Sequence, residues 1–142
     1  MTIKKIKENF QCYSRFLFTL RNKRYVRKFS ISKKIISINQ HKTWLKDFIR
    51  NKNELFIIFF EKLKIGYIRI EKKKKINYVS WALLKKYHNR GFAKRSLKNA
   101  TRIKKRYYAL ILKGNISSEH IAKKNGFRLF KSINNIQYYK KN

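Results

Sequence analysis

The sequence predicts a mixed α/β layer structure, and three observations carry that expectation. Apolar residues recur at helical spacing early in the chain and change to strand-like runs between Leu55 and Leu84. Those central runs are joined by short polar turns, the pattern of an antiparallel meander. No proline, internal repeat or Gly/Ser-rich linker divides the 142 residues, so residues 1–142 are expected to form one domain around one core.

The elements follow in order. Thr2 to Lys7 has the alternation of a short strand, with Ile3 and Ile6 among lysines. After Glu8-Asn9, the residues Phe10, Tyr13, Phe16, Leu17 and Leu20 share one helical face over about three turns. A basic loop runs from Arg21 to Ile36. Ser37-Ile38-Asn39-Gln40 reads as a capping box, and Ile38, His41, Trp44, Leu45, Phe48 and Ile49 line one face of a second helix. Leu55 to Phe60 is a continuous apolar run, Ile65 to Ile70 alternates, and Ile76 to Leu84 is apolar and aromatic, so three strands are expected with Lys72 to Lys75 as the last turn.

From Ala93 onward, Leu97, Ala100 and Ile103 mark the buried stripe of a third helix, leaving Lys94, Arg95, Lys98 and Arg102 outside. Tyr107 to Leu112 reads as a strand. Ser117 or Ser118 caps a short helix that ends at Asn125-Gly126, a pair suited to a left-handed terminus. Phe127 to Ser132 and Ile136 to Lys140 close the chain as a hairpin.

Composition narrows the function classes. A content of 43% hydrophobic and 15% aromatic residues is that of a globular protein, despite 32% charged residues. The 39 Lys+Arg against 6 Asp+Glu give a net charge of +33, a field that attracts nucleic acid, anionic membrane surfaces or small polyanions such as nucleotide cofactors. The charge is spread from Lys4 to Lys141, and the excess of Lys, Asn and Ile resembles the bias of an AT-rich genome, which does not account for so few acidic residues. Basic residues alternate with aromatics in Lys104-Lys105-Arg106-Tyr107-Tyr108, a pattern able to stack bases and track phosphates. The charge permits contact with nucleic acid or the ribosome without requiring it, and no zinc pattern or RRM-type motif accompanies it.

A single cysteine excludes an internal disulfide and a multi-cysteine zinc site, and Cys12 reads as a buried small hydrophobe. The longest apolar run, Leu55 to Phe60, is too short to cross a bilayer, and the N-terminus lacks the apolar region of a signal peptide. A cytoplasmic protein with no transmembrane segment and no metal is expected.

The stretch that points to chemistry is His88-Asn89-Arg90-Gly91-Phe92-Ala93-Lys94-Arg95. Gly91 lets backbone approach a ligand closely, and the first N–H groups of the helix beginning near Phe92 face a bound anion with the positive end of the helix dipole behind them. Lys94 and Arg95 add formal charge. The same residues also suit an ordinary strand-to-helix turn with a solvated basic face.

The order of elements, with this turn after the fourth strand, resembles the GNAT superfamily of acetyl-CoA-dependent N-acetyltransferases over nearly the whole chain. In that family the turn follows Q/R-x-x-G-x-G/A and cradles the cofactor pyrophosphate. Here Gly91 and Ala93 match, and His88 replaces the usual Gln or Arg. Asn115-Ile116-Ser117-Ser118 followed by Asn125-Gly126-Phe127 resembles the family's segment beside the pantetheine arm. The resemblance therefore implies a mostly antiparallel sheet of about seven strands flanked by about four helices. It implies acetyl-CoA as donor, held by Leu83, His88, Asn89, Arg90, Gly91, Phe92, Ala93, Lys94, Asn115 and Ser118.

A third set, Arg21-Asn22, Val26-Arg27, His41-Lys42-Thr43-Trp44 and Val79-Ser80-Trp81, resembles GNAT enzymes that acetylate amino sugars on nucleotide carriers, including those of nonulosonic acid pathways. It implies a small anionic substrate contacted by Arg21, Asn22, Arg27 and Trp44, with the two arginines gripping a phosphate or, alternatively, belonging to a solvated loop. Acetylation of protein N-termini or lysines, as of ribosomal proteins, is the alternative.

Acetyl transfer needs a neutral amine, an aligned thioester, stabilisation of the developing oxyanion and a proton source for the departing thiolate. The family resemblance places the acetyl group near Ser80 to Leu84, acting mainly through backbone. None of the carboxylates Glu8, Asp47, Glu54, Glu61, Glu71 and Glu119 falls on the expected fourth or fifth strand, and Ser80 stands where related sugar acetyltransferases can carry Glu. His41 is the favoured side-chain base, with core packing of His41 and Trp44 as the other reading. An amine that titrates at about 8 also needs no more than water. Many relatives place a Tyr where this chain has Ala122, which leaves Tyr138, Tyr139 or solvent as the acid.

Overall fold

The computed structural model describes Met1–Asn142 as a seven-stranded sheet in the order β1-β2-β3-β4-β5-β7-β6. The strands are β1 (Thr2–Ile6), β2 (Glu54–Phe60), β3 (Leu63–Lys73), β4 (Ile76–Leu83), β5 (Tyr107–Leu112), β6 (Arg128–Ile133) and β7 (Ile136–Lys141). Every neighbouring pair is antiparallel except β4 with β5. The helices are α1 (Gln11–Arg21), α2 (Arg24–Arg27), α3 (Ile38–Arg50), α4 (Phe92–Ala100) and α5 (Ile116–Lys124). The expected mixed, mostly antiparallel architecture is the one observed, with a fifth helix added.

Strand alternation sorts the core into two layers, one on each face of the sheet. Ile68, Ile70, Val79 and Leu83 pack with Phe92, Leu97 and Ala100 of α4 and with Ala122 of α5. Leu55, Ile57, Tyr67 and Ala82 face the other way and pack with Leu17, Leu20 and Phe48 of α1 and α3. β4 thus presents odd-numbered side chains to α4 and even-numbered ones toward α1 and α3.

Local chemistry sets most boundaries. Ser37 caps α3 with the predicted reciprocal box: Gln40 N–H donates to Ser37 Oγ at 3.1 Å, and Ser37 N–H donates to Gln40 Oε1 at 2.8 Å. The β6–β7 hairpin turns on Asn134 and Asn135 at φ 50° and 66°, the left-handed pair that matches strand twist. Gly66 of β3 lies opposite Leu83, where an added Cβ would stand 2.5 Å from Ala82 O and 2.6 Å from Leu83 Cδ2.

Several expectations are corrected. Lys72 and Lys73 remain in β3, and only Lys74 and Lys75 turn, because a charged strand end on a solvent-exposed hairpin incurs little desolvation. The Arg21-to-Ile36 loop contains α2, a single turn with no buried residue and hence no apolar period to betray it. Asn115, rather than Ser117 or Ser118, caps α5, its Oδ1 accepting the Ser118 N–H at 3.3 Å. Ile103 lies beyond the end of α4 and is 54% exposed. Ile38 and Ile49, at the ends of α3, are exposed because the helix packs through His41, Leu45 and Phe48. Cys12 is exposed: it sits roughly 140° around α1 from buried Leu17, counting about 100° per residue.

Candidate active site

The parallel strands β4 and β5 pair only at Asn77 with Tyr107 and Tyr78 with Tyr108. At that apex the Asn77 backbone N–H and its Nδ2 both donate to Arg106 O, at 3.1 and 3.0 Å. Beyond it β4 stays paired with β3 through Leu83, while β5 stays paired with β7 through Leu112, and the two strands part into a wedge. Asn77 N–H points toward β5, and Leu84 N–H, on the other parity, donates to Ile65 O on the β3 side at 2.8 Å. The backbone groups of Val79, Trp81 and Leu83 therefore point into the wedge, where β5 no longer meets them. One of these groups is occupied: His88 Nε2–H donates to Leu83 O at 2.9 Å.

A short 3-10 turn, Lys85–Tyr87, leads from the end of β4 to the glycine turn. Asn89 and Gly91 both adopt positive φ, 59° and 78°, and Gly91 is the N-cap residue of α4. A Cβ built on Gly91 meets nothing within 4 Å, so the space beside the turn at Gly91 is open. The first helical bond of α4 runs from Arg95 N–H to Gly91 O at 3.1 Å, which leaves the amides of Phe92, Ala93 and Lys94 ahead of the helix's own acceptors. No side chain caps them. Arg90 lies over the rings of Phe60, Tyr87 and Phe92 at 5.2, 5.7 and 5.1 Å, and Lys94 and Arg95 are exposed beside it. Free amides, an open turn and three cations suit a diphosphate.

His88 is not turned to that cradle through its Nε2, which is spent on Leu83 O. Its ring meets Tyr25 of α2 edge-on at 5.7 Å, and Tyr25 Oη accepts the Lys85 N–H at 3.1 Å. The unpredicted helix α2 thus braces the mouth of the wedge. Asn115 uses its Oδ1 on the α5 cap, and Asn125 Nδ2 ties α5 to α4 through Lys94 O at 3.2 Å and to its own helix through Ile121 O at 2.9 Å.

The other face of β4 opens on a cavity of about 50 Å³ between α1, α3 and β3. Arg21, His41, Trp44, Tyr67 and Arg69 line it, with Leu17 and Ile36. Arg69 Nε donates to Ser80 Oγ at 3.2 Å, and its guanidinium lies over Trp44 at 5.1 Å and Tyr67 at 5.6 Å. Arg21 Nη2 donates to Ser32 O at 2.9 Å, while its Nη1 is buried with no partner. Burial pulls the Arg21 guanidinium below its ordinary value, opposed by Tyr67 and reinforced by Arg69 and Arg27.

His41 Nε2 is 3.0 Å from Ser14 Oγ, and burial lowers its pKa, opposed by the Ser14 hydrogen bond and helped by the Arg69 charge. The imidazole is therefore neutral at pH 7. His41 packs between Phe18 and Trp44 at 5.4 and 5.6 Å, as the core reading expects, and it also lines the cavity.

Of the remaining expected residues, Asn22 commits both ends of its amide to Ile36, Nδ2 to O and Oδ1 from N–H, each at 2.9 Å. Arg27 donates to Asn22 O at 3.0 Å and Lys33 O at 3.2 Å, so both residues fasten the basic loop. Tyr139 is buried in the α4-side core, and burial raises its pKa. Tyr138 joins Tyr108 and Phe130 in an aromatic cluster on the sheet, whereas Tyr107, its neighbour in the basic-aromatic run, is core. Arg69, Asn77 and Gly66 were missed in sequence. Their only signal was a polar or small residue inside an apolar strand.

A family profile described as acetyltransferase (GNAT) domain matches residues 13–128. A search of curated proteins returned no significant match. Among solved structures, a ribosomal-protein-alanine N-acetyltransferase from Brucella melitensis superposes with TM-score 0.80 at 13% identity, covering 99% of each chain. RimL, a ribosomal L7/L12 alpha-N-protein acetyltransferase in complex with coenzyme A, gives 0.80 at 15% identity over 99% of this chain and 94% of its own. The protein yncA from Salmonella typhimurium, with its cofactor acetyl-CoA, gives 0.75 at 11% identity over 98% and 91%. These likenesses show the fold. No helix is long and apolar enough to cross a membrane. With the profile covering most of the chain, the protein belongs to the GNAT acetyltransferase family and is an acetyl-CoA-dependent acyltransferase of that type.

Proposed function

We propose that the chain moves an acetyl group from acetyl-CoA to the amine of a small anionic acceptor, with the donor along the β4/β5 wedge and the acceptor on the α1/α3 side of β4. The observation that carries this reading is an open strand edge at Val79, Trp81 and Leu83 leading to an uncapped helix start at Gly91. Unpaired strand groups suit the amides of a pantetheine arm, and the α4 amides with Arg90, Lys94 and Arg95 suit its pyrophosphate. Acetyl-CoA supplies the activated thioester when bound. The wedge amides of Trp81 and Leu83 stabilise negative charge developing on the acyl oxygen, and His88 fixes the Leu83 peptide by holding its carbonyl.

No carboxylate lines the cavity, and His41 is neutral but tied to Ser14. Proton removal thus falls to water or to a His41–Ser14 relay, which suffices for an amine titrating near 8.

A nucleotide-linked amino sugar is one acceptor of the proposed class. Arg21 and Trp44 in the cavity support it, whereas Asn22 and Arg27 are occupied in the loop. A protein N-terminus is the second reading. Two of the fold relatives named above act on ribosomal proteins, and a net charge of +33 suits a ribonucleoprotein surface. Release of the coenzyme A thiol, measured with nucleotide-linked amino sugars, small amino acids and N-terminal peptides, separates the two. Turnover with small anionic amines is expected; turnover with peptides alone selects the second reading.

A further inference from the structure

The acceptor-side cavity holds two guanidinium groups and no acid. Arg21 Nη1 is buried there without a hydrogen-bond partner, although its Nη2 is satisfied by Ser32 O. Arg69, from β3, lines the same cavity, its Nε donating to Ser80 Oγ and its guanidinium lying over the rings of Trp44 and Tyr67. Arg69 is loosely ion-paired with Glu71, whose Oε1 is 3.8 Å from Nη1, beyond hydrogen-bond range and outside the cavity lining. A buried donor left unpaired is costly, and Arg21 Nη1 is such a donor. An anion entering the cavity would satisfy Arg21 Nη1 and meet Arg69 beside it.

The walls say which kind. Leu17, Ile36, Trp44 and Tyr67 surround the cations with apolar and aromatic surface. A singly charged planar group is cheaper to desolvate in such a space than a dianion, and its two oxygens match the parallel N–H donors of a guanidinium.

We propose that Arg21 and Arg69 hold the carboxylate of the acceptor, so that the amine acetylated belongs to a small amino acid-like molecule carrying both groups. This rests on the acetyl-transfer reading above and sharpens it. Arg69 is fixed to Ser80, whose strand neighbours Trp81 and Leu83 turn their amides into the wedge. A carboxylate anchored at Arg69 therefore leaves the amine of a short acceptor beside the strand that lines the donor path. Arg69 sets specificity, and the aromatic pair over it accepts the acceptor's side chain.

The test uses the intact protein and two readouts. Trp44 fluorescence is titrated with N-acetylglycine and N-acetyl-L-phenylalanine, with the corresponding amides, and with inorganic phosphate. Only the free carboxylates are expected to change it, and Arg69→Met and Arg21→Lys are expected to weaken that response roughly tenfold to a hundredfold, the range for a lost charged hydrogen bond. Trp81→Phe removes the second indole so that the signal is that of Trp44. The wild-type contrast between acid and amide needs no site variant, so a variant that fails to fold leaves the result intact. Equal response to acid and amide, preference for phosphate, or no response to any carboxylate would overturn the proposal. Acetyl-CoA binding, followed separately by thermal shift, is expected to be unchanged in Arg69→Met. Loss of acetyl-CoA binding in the wild type would instead overturn the acetyl-transfer reading, whatever the carboxylate titration gives.

Discussion

Asn77 joins β4 to Arg106 at the head of β5 through two hydrogen bonds to one carbonyl, and the strands part immediately beyond. The side-chain bond reinforces the backbone bond at the apex, where the wedge would otherwise zip open. Asn77→Ala is expected to cost about 1 kcal/mol of stability, the usual net value of one such bond, and to weaken acetyl-CoA binding more than an equally destabilising core change elsewhere. Denaturant unfolding and calorimetry on the same sample check both parts. Unchanged stability would mean that the backbone bond alone holds the apex.

Gly91 has positive φ and open space where a side chain would be. Gly91→Ala is therefore expected to lose about 1–2 kcal/mol from strain alone, since nothing in the protein obstructs the methyl. Gly91→Val places branched carbons in the proposed phosphate cradle and is expected to abolish the thermal shift caused by acetyl-CoA while the protein remains folded. An unaltered shift would remove the cradle from the site.

Gly66 shows the opposite constraint. Its missing Cβ leaves room for Ala82 O and Leu83 Cδ2, the very stretch of β4 that borders the wedge. Gly66→Ala is expected to destabilise by about 1–3 kcal/mol through overpacking and to displace Leu83. Its melting temperature, compared with that of Gly91→Ala, separates packing from backbone strain.

His41 ties stability to pH. Its pKa in the fold lies below the ordinary 6.5, chiefly through burial, so the unfolded chain binds more protons than the folded one in that range. The contribution of the neutral buried ring is complete above 6.5 and is lost as pH falls from there through the lowered value. Thermal melts of wild type and His41→Gln between neutral and mildly acidic pH are expected to converge in their pH dependence at high pH and diverge below, with the wild type falling more steeply.

How far these features could be read beforehand depends on the range of the forces behind them. Apolar period is local, and together with cap and turn residues along the chain it outlines the seven strands and the four longer helices. The capping box at Ser37 and the left-handed Gly126 are equally local. α2 escaped because it buries nothing, and Cys12 was misplaced because its side of α1 depends on where α3 and the sheet lie. Arg69 could not be found at all from its own segment. Its partners, Ser80, Trp44 and Tyr67, come together only through strand register and the docking of α3. Family resemblance grouped Arg21 and Trp44, which line the cavity, with Asn22 and Arg27, which fasten the loop, because it carries no information on which side chains the fold leaves free.

The central claim is that acetyl-CoA occupies the wedge and the start of α4, and an amide-resolved NMR titration of the protein with acetyl-CoA tests it most directly. The largest shifts are expected at Val79, Trp81 and Leu83 and at Phe92, Ala93 and Lys94. Shifts confined to another surface, such as the Tyr108, Phe130 and Tyr138 cluster, or no shifts at saturating acetyl-CoA, would contradict it.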